Sequence, residues 1–239
     1  MKLDILAFGA HPDDVELGCG GTIAKAASKG KKVAIIDLTK GELGTRGNAS
    51  IREKESKEAA KILGVKFREN LNLKDGFIFN DKESQKRVVK VIRTYKPDIV
   101  LCNAIKDRHI DHPRASELVS NSCFLSGLDK LKTFDKKNIP NKSWTPKYVF
   151  HYMQWEDLRP DFVVDISGYL ETKMNAVKAF KSQVYDKNSN EKETPTSSIN
   201  FLDSIESRAR NLGRLVFSDA AEGYTAERYI ALEDFDALL

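Results

Sequence analysis

Cysteine is scarce in this 239-residue chain. Its three thiols, Cys19, Cys102 and Cys123, are odd in number and stand far apart, with no C-x-x-C pair. That fits reduced thiols in a cytoplasm better than a disulfide framework. Long apolar runs are missing too. No stretch approaches the roughly 20 residues that span a bilayer, so no membrane partner is expected. Nor is there an excess of one charge: 39 Lys and Arg against 35 Asp and Glu leave a net charge of +4. The lysines are spread along the chain, and no nucleic-acid partner is expected. Only four histidines are present, and where they fall becomes the main question.

What is there is an ordinary globular composition, 41% apolar and 31% charged, which argues against a disordered chain. The length allows one large domain or two small ones. No repeat or linker divides it, so one domain over 1–239 is expected. Met1 to Asp4 lead straight into a strand pattern, so no leader peptide and a cytoplasmic location are expected. Strands are expected over 2–9, 33–38, 67–73 and 98–102. Helices are expected over 22–29, 51–63 (with Gly64 as C-cap), 84–95 and 113–124. This alternation predicts an α/β, Rossmann-like fold, a mostly parallel sheet with helices on both faces. The later chain reads as a polar loop over 132–147, strands over 148–154 and 162–166, and a helix over 170–182. A mobile polar stretch over 185–198, a helix near 203–215 and a polar C-terminal segment follow.

In an open α/β sheet, ligands bind outside the carboxyl ends of the strands. The first strand ends in A-H-P-D-D (Ala10 to Asp14), and the fourth leads into D-R-H-I-D-H (Asp107 to His112). Parallel strands put both clusters on one edge, so three of the four histidines converge. Polar groups at the end of a buried strand are costly unless paired or metal-bound. Two histidines and a carboxylate are the donors of a catalytic zinc site with a position open for water. Ferrous iron takes the same donors. His11 and Asp14 can face one ion, and His112 can complete the set. Asp13 is then free to act as general base. His109, one helical turn before His112, is a candidate general acid or oxyanion stabiliser, its charged form favoured by Asp111.

Other readings compete. H-P-D-D alone could be a helix-capping turn, and R-H-I-D-H alone an exposed loop; their coincidence at matching strand ends argues against both. A non-haem iron oxygenase uses the same three donors, but on an antiparallel barrel. A binding module without catalysis would not need Asp13 or His109. Gly18 to Gly21 lack the phosphate-loop order and read as tight helix–strand packing, with Cys19 a small residue among them. His151, in V-F-H-Y, reads as a core histidine.

At these residues the sequence resembles the LmbE-like, or PIG-L, zinc-dependent N-acetylglucosamine deacetylases. The likeness extends through "LTKGELGTRG", "IREKESKEAAKILG", "LNLKDG", "DRHIDHPRAS" and "DFVVDISGYLETKMNAVKAFKSQ". The last of these is most similar to the bacillithiol branch, which deacetylates N-acetylglucosaminyl-malate. Other branches act on mycothiol precursors, chitooligosaccharides or glycosylphosphatidylinositol precursors. The resemblance implies zinc at His11, Asp14 and His112, and Asp13 as base. It implies His109 as the residue that holds the tetrahedral oxyanion or protonates the leaving amine, with Asp111 orienting an imidazole. It also implies Arg52 as a substrate contact suited to a carboxylate, Glu42 and Asp75 near the sugar, and a homo-oligomer, often a hexamer. Some relatives carry a tyrosine where this chain has Asp107, and Tyr185 is the candidate to replace it. The expected partner is a small-molecule glycoside, and the expected reaction is removal of its N-acetyl group.

Overall fold

The computed structural model describes residues 1–135 and 137–238. The chain runs β1 (Ile5–Gly9), α1 (Asp14–Ser28), β2 (Val33–Thr39), α2 (Ala49–Leu63), β3 (Arg68–Leu73), α3 (Lys82–Tyr95), β4 (Ile99–Cys102) and α4 (Asp111–Ser126). Then come β5 (Tyr148–Tyr152), β6 (Phe162–Asp165), α5 (Leu170–Lys178), α6 (Phe201–Arg214) and β7 (Ala221–Ala226). The strands form one seven-stranded sheet in the order β3-β2-β1-β4-β5-β7-β6.

From β3 to β5 all pairings are parallel. Every residue of β2, V-A-I-I-D-L-T, is buried, as a central parallel strand covered on both faces requires. Alternate side chains feed two cores. Leu6, Phe8, Ile36 and Val100 pack with α3 and α4 on one face. Ala7, Ile35 and Leu101 pack with α1, α2 and α5 on the other. The expected fold class is the one observed. No helix among the described residues is long and apolar enough to cross a membrane.

Three local expectations change. The first helix begins at Asp14 rather than 22 and passes through the glycine run with a kink at Cys19. A Cβ on Gly18 would collide with the Tyr152 ring, and one on Gly21 with the Ile166 side chain, so the α1 backbone lies directly against those two side chains. Helix α5 stops at Lys178, four residues short of the expected end. The C-terminal A-E-G-Y-T-A, expected to be a polar segment, is strand β7, antiparallel between β5 and β6. Its Glu222 is buried because it caps the second half of α1, accepting the Gly21 and Thr22 amides at 2.9 and 2.8 Å. Lys173 neutralises it at 2.5 Å. A buried charge with such partners is tolerated, and a count of polar residues misreads it.

Candidate metal centre and active site

The site lies beyond the carboxyl ends of β1 and β4, where the sheet order reverses. A buried triad fixes the start of α1 behind it. Arg68 bonds Asp37 through Nε and Nη2 at 2.7 and 2.8 Å, and Glu16 through Nη1 at 2.5 Å. Ahead of α1, Asp13 has φ 122° and ψ −25°, a conformation that side-chain-bearing residues avoid. Arg52, in the first turn of α2, holds this strained turn: Nη2 lies 2.9 Å from Asp13 Oδ2 and also donates to the Pro12 carbonyl. Gly41, at φ 64°, makes room, since a Cβ there would strike the Arg52 guanidinium.

The rings of His11, His109 and His112 gather with centroids 4.6, 5.5 and 5.0 Å apart. Asp14 reaches two of them: Oδ2 is 3.6 Å from His11 Nδ1, and Oδ1 is 3.2 Å from His112 Nε2. Asp14 touches these two rings through different oxygens, while His11, His109 and His112 each bring one ring nitrogen within 4.8 Å of the others, close enough to share a divalent cation. Asp107 bonds the other ring nitrogen of His112, which leaves Nε2 facing Asp14. Asp14 is itself clamped, by the His11 amide (2.8 Å), Asn103 Nδ2 (3.0 Å) and Gln154 Nε2 (3.0 Å). Nε2 of His11 lies 2.9 Å from Asp75 and 3.4 Å from Asp111, without hydrogen-bond alignment. His11, Asp75 and Asp111 thus form a second cluster of possible donors.

The charges here are out of their usual balance. Burial works against charge on His11, yet Asp111, Asp14 and Asp75 push its pKa well above the ordinary value. Burial likewise opposes charge on His112, but Asp14 and Asp107 raise it to about 9. Asp14 stays well below the usual carboxylate range, because His112 and His11 outweigh its burial. The carboxylates draw protons onto the imidazoles; a divalent cation would supply that positive charge instead. Asp13 moves the other way. Burial, with Asp14 adding to it, raises its pKa to about 6 against the pull of Arg52 and His11.

His109 departs from expectation. Burial and the neighbouring His11 and His112 lower its pKa. Its Nδ1 accepts the Asp111 amide at 3.2 Å, so the ring is neutral with its proton on Nε2. The Asp111 carboxylate does not hold it charged, because it is turned to the Gly76 amide (2.6 Å) and His11.

The remaining expected residues fall in different places. Arg52 lines the cavity but engages Asp13. Asp75 lines it too, between His11 and the Leu43 amide (2.8 Å). Glu42 braces the Asp75 amide at 3.0 Å from outside the cavity wall. Tyr185, 43% exposed, is also outside that wall, so it does not stand in for a tyrosine at Asp107. Asn103 and Gln154 had not been anticipated. No spacing marks them, and the available signal was position, one and two residues past the ends of β4 and β5.

The cavity over this cluster measures about 650 Å³ and runs on to β7 and α6. Residues 6–123 match the family described as PIG-L: GlcNAc-PI de-N-acetylase. The chain is 33% identical over 189 residues to a diacetylchitobiose deacetylase of Thermococcus kodakarensis, covering 75% of this chain and 69% of the relative. It is 28% identical over 194 residues to a 4-oxalmesaconate hydratase of Pseudomonas putida (74% and 73%). It is 26% identical over 195 residues to a probable N-acetyl-alpha-D-glucosaminyl L-malate deacetylase 2 of Bacillus anthracis (75% and 80%). Among solved structures, the conserved protein TT1542 of Thermus thermophilus matches with a TM-score of 0.84 at 32% identity, covering 96% of this chain and 97% of that one.

Proposed function

Because the chain belongs to the PIG-L, or LmbE-like, deacetylase family, we propose that it is a metal-dependent hydrolase of an N-acetylglucosaminyl conjugate. The observation that carries this reading is the doubled aspartate: Asp14 engages two imidazoles, while its neighbour Asp13 engages neither and is paired with Arg52. One carboxylate is placed to hold a cation and the other to move a proton.

A cation held by His11, Asp14 and His112, zinc or ferrous iron, would acidify a water and polarise the amide carbonyl. Asp13 accepts the water proton as oxygen attacks the carbonyl carbon. Neutral His109 donates its Nε2–H to the oxygen that gains charge. Asp13 then gives the proton to the sugar nitrogen as the C–N bond breaks, leaving acetate and a free amine. The strained backbone at Asp13 aims that carboxylate, and Arg52 keeps it there.

N-acetylglucosaminyl-malate is our first choice of substrate, supported by the likeness of residues 161–183 to the bacillithiol branch and by the Bacillus relative. The Thermococcus relative supports a second reading, an N-acetylated chitooligosaccharide. A homo-oligomer working in the cytoplasm belongs to the same proposal, and light scattering tests its assembly. The deciding experiment is metal analysis with amine-release assays on N-acetylglucosaminyl-malate, N-acetylglucosamine and diacetylchitobiose. The malate should react fastest, stop with a chelator and recover with added zinc. Equal rates on all three would remove the malate assignment. Hydration of an unsaturated dicarboxylate without amine release would replace the hydrolase by the activity named for the Pseudomonas relative.

A further inference from the structure

The cavity joins two walls of opposite chemistry, with the candidate ligands between them. On the β2–β3 side stand Asp75 and Arg52, whose buried Nε has no hydrogen-bond partner. On the β5–β7 side the surface is Leu17, Met153, Phe201, Ile205 and Leu212. Polar groups occur in this second wall, but they bond to the wall itself. Lys173 donates to Glu222 at 2.5 Å and to the Leu17 carbonyl at 2.8 Å. The Ser204 hydroxyl donates to the Phe201 carbonyl at 2.6 Å, and Arg208 to the Trp155 carbonyl at 2.8 Å. These pairings occupy Lys173 and the Ser204 hydroxyl proton, so Arg208 is the charged group that remains beside the apolar side chains of the wall.

Helix α6 explains the apolar wall. Leu202, Ile205 and Ala209 pack on the small core of Ile166, Leu170, Met174 and Ala220. Phe201, stacked on Trp155 with centroids 6.0 Å apart, and the largely buried Leu212 extend that stripe along the cavity. An apolar stripe broader than the core beneath it points to a further apolar occupant.

The amide substrate is two-ended in the same way, with a polar sugar on nitrogen and an alkyl group on the carbonyl carbon. With that carbonyl at His11, Asp14 and His112, the sugar matches the Asp75 and Arg52 side and the acyl group matches α6. A methyl group would fill little of such a wall. We propose that the β5–β7 side is an acyl-chain subsite, and that the enzyme cleaves medium-chain N-alkanoyl groups from glucosamine conjugates as well as acetyl. Water is the only co-reactant: its oxygen joins the released carboxylate and one of its protons joins the amine. The inference rests on the N-deacylase reading.

The test is a series of N-acetyl-, N-butyryl-, N-hexanoyl- and N-octanoylglucosamine with the metal-loaded enzyme. A buried methylene is worth about fourfold, so kcat/KM should rise on the order of tenfold or more from acetyl to hexanoyl. A fall along the series would overturn the proposal. Ser204 is exposed on α6 within this wall, so Ser204→Trp should cut the hexanoyl-to-acetyl ratio about tenfold; an unchanged ratio would count against the subsite. Titrating Asp13→Asn with N-hexanoyl- and N-acetylglucosamine reads the subsite without turnover. The hexanoyl compound should bind about tenfold tighter, and equal binding would overturn the inference. Tighter hexanoyl binding with no amine released anywhere in the series would sink the hydrolase reading while upholding the subsite. Acetyl release without a hexanoyl advantage would do the reverse.

Discussion

Strands β3, β2, β1 and β4 are all parallel, and their carboxyl ends deliver His11, Asp13, Asp14, Asp75, His109 and His112 to one edge. In the other part of the sheet, β7 runs antiparallel between β5 and β6. That strand brings its first residues, Ala221 to Gly223, to the cavity. The parallel part therefore presents loop residues free to reach a ligand, and the antiparallel strand presents a wall. Gln154, after the last parallel strand, sits at the border and clamps Asp14. The direction of the strands divides the work, with chemistry on one side and shape and support on the other.

The sharpest way to break this division is to remove a candidate ligand from the parallel part. His112→Ala should fail to retain the cation and lose all measurable turnover, with metal content read alongside activity. A metal-replete, active variant would move the site elsewhere, His11, Asp75 and Asp111 being the alternative cluster. Asp13→Asn should come next. It keeps the cation and the fold but lowers kcat by about 10²–10⁴, the range for a general base. Asp107→Asn should be milder. Its bond to His112 orients a ligand, so affinity for the cation should weaken by about 10–100-fold. Excess metal should restore most of the rate, a recovery that Asp13→Asn cannot show.

The same division explains what could be read beforehand. A parallel strand end packs its functional residues into a few consecutive positions, so A-H-P-D-D and D-R-H-I-D-H are visible as clusters. Strand β7 is not visible that way, because Glu222 is polar and its partner Lys173 lies 49 residues away in the chain. Asn103 and Gln154 are single amides whose meaning appears only once both touch Asp14. The start of α1 was obscured because its glycines answer to Tyr152 and Ile166, more than a hundred residues on. The neutral state of His109 depends on a backbone amide, which residue identity does not record. Short-range pattern was readable; pairings across the sheet were not.

The smallest expected effect belongs to the supporting side and concerns stability. His151, in β5, has acceptors at both ring nitrogens: Nδ1 lies 3.1 Å from the Asn103 carbonyl and 2.7 Å from Ser116 Oγ, and Nε2 lies 3.0 Å from Glu227. A neutral imidazole can donate only once, so this arrangement favours the charged ring. Burial opposes that charge, but the Cys102 sulfur and the Glu227 carboxylate prevail and raise the pKa to about 10. The unfolded chain holds the proton less tightly, with a pKa of about 6.5. The stabilisation is therefore complete below about pH 6.5 and is lost as pH rises through about 10. The Tm gap between the wild type and His151→Gln should be widest in mildly acidic buffer and narrow steadily into alkali. A gap that stays level or widens over that interval would mean the ring is neutral. His151 holds the Asn103 backbone and meets Ser116 on α4, the helix that carries His112. Loss of that proton should therefore loosen Asn103 and α4 together, and with them two neighbours of Asp14, before it affects the apolar wall at α6.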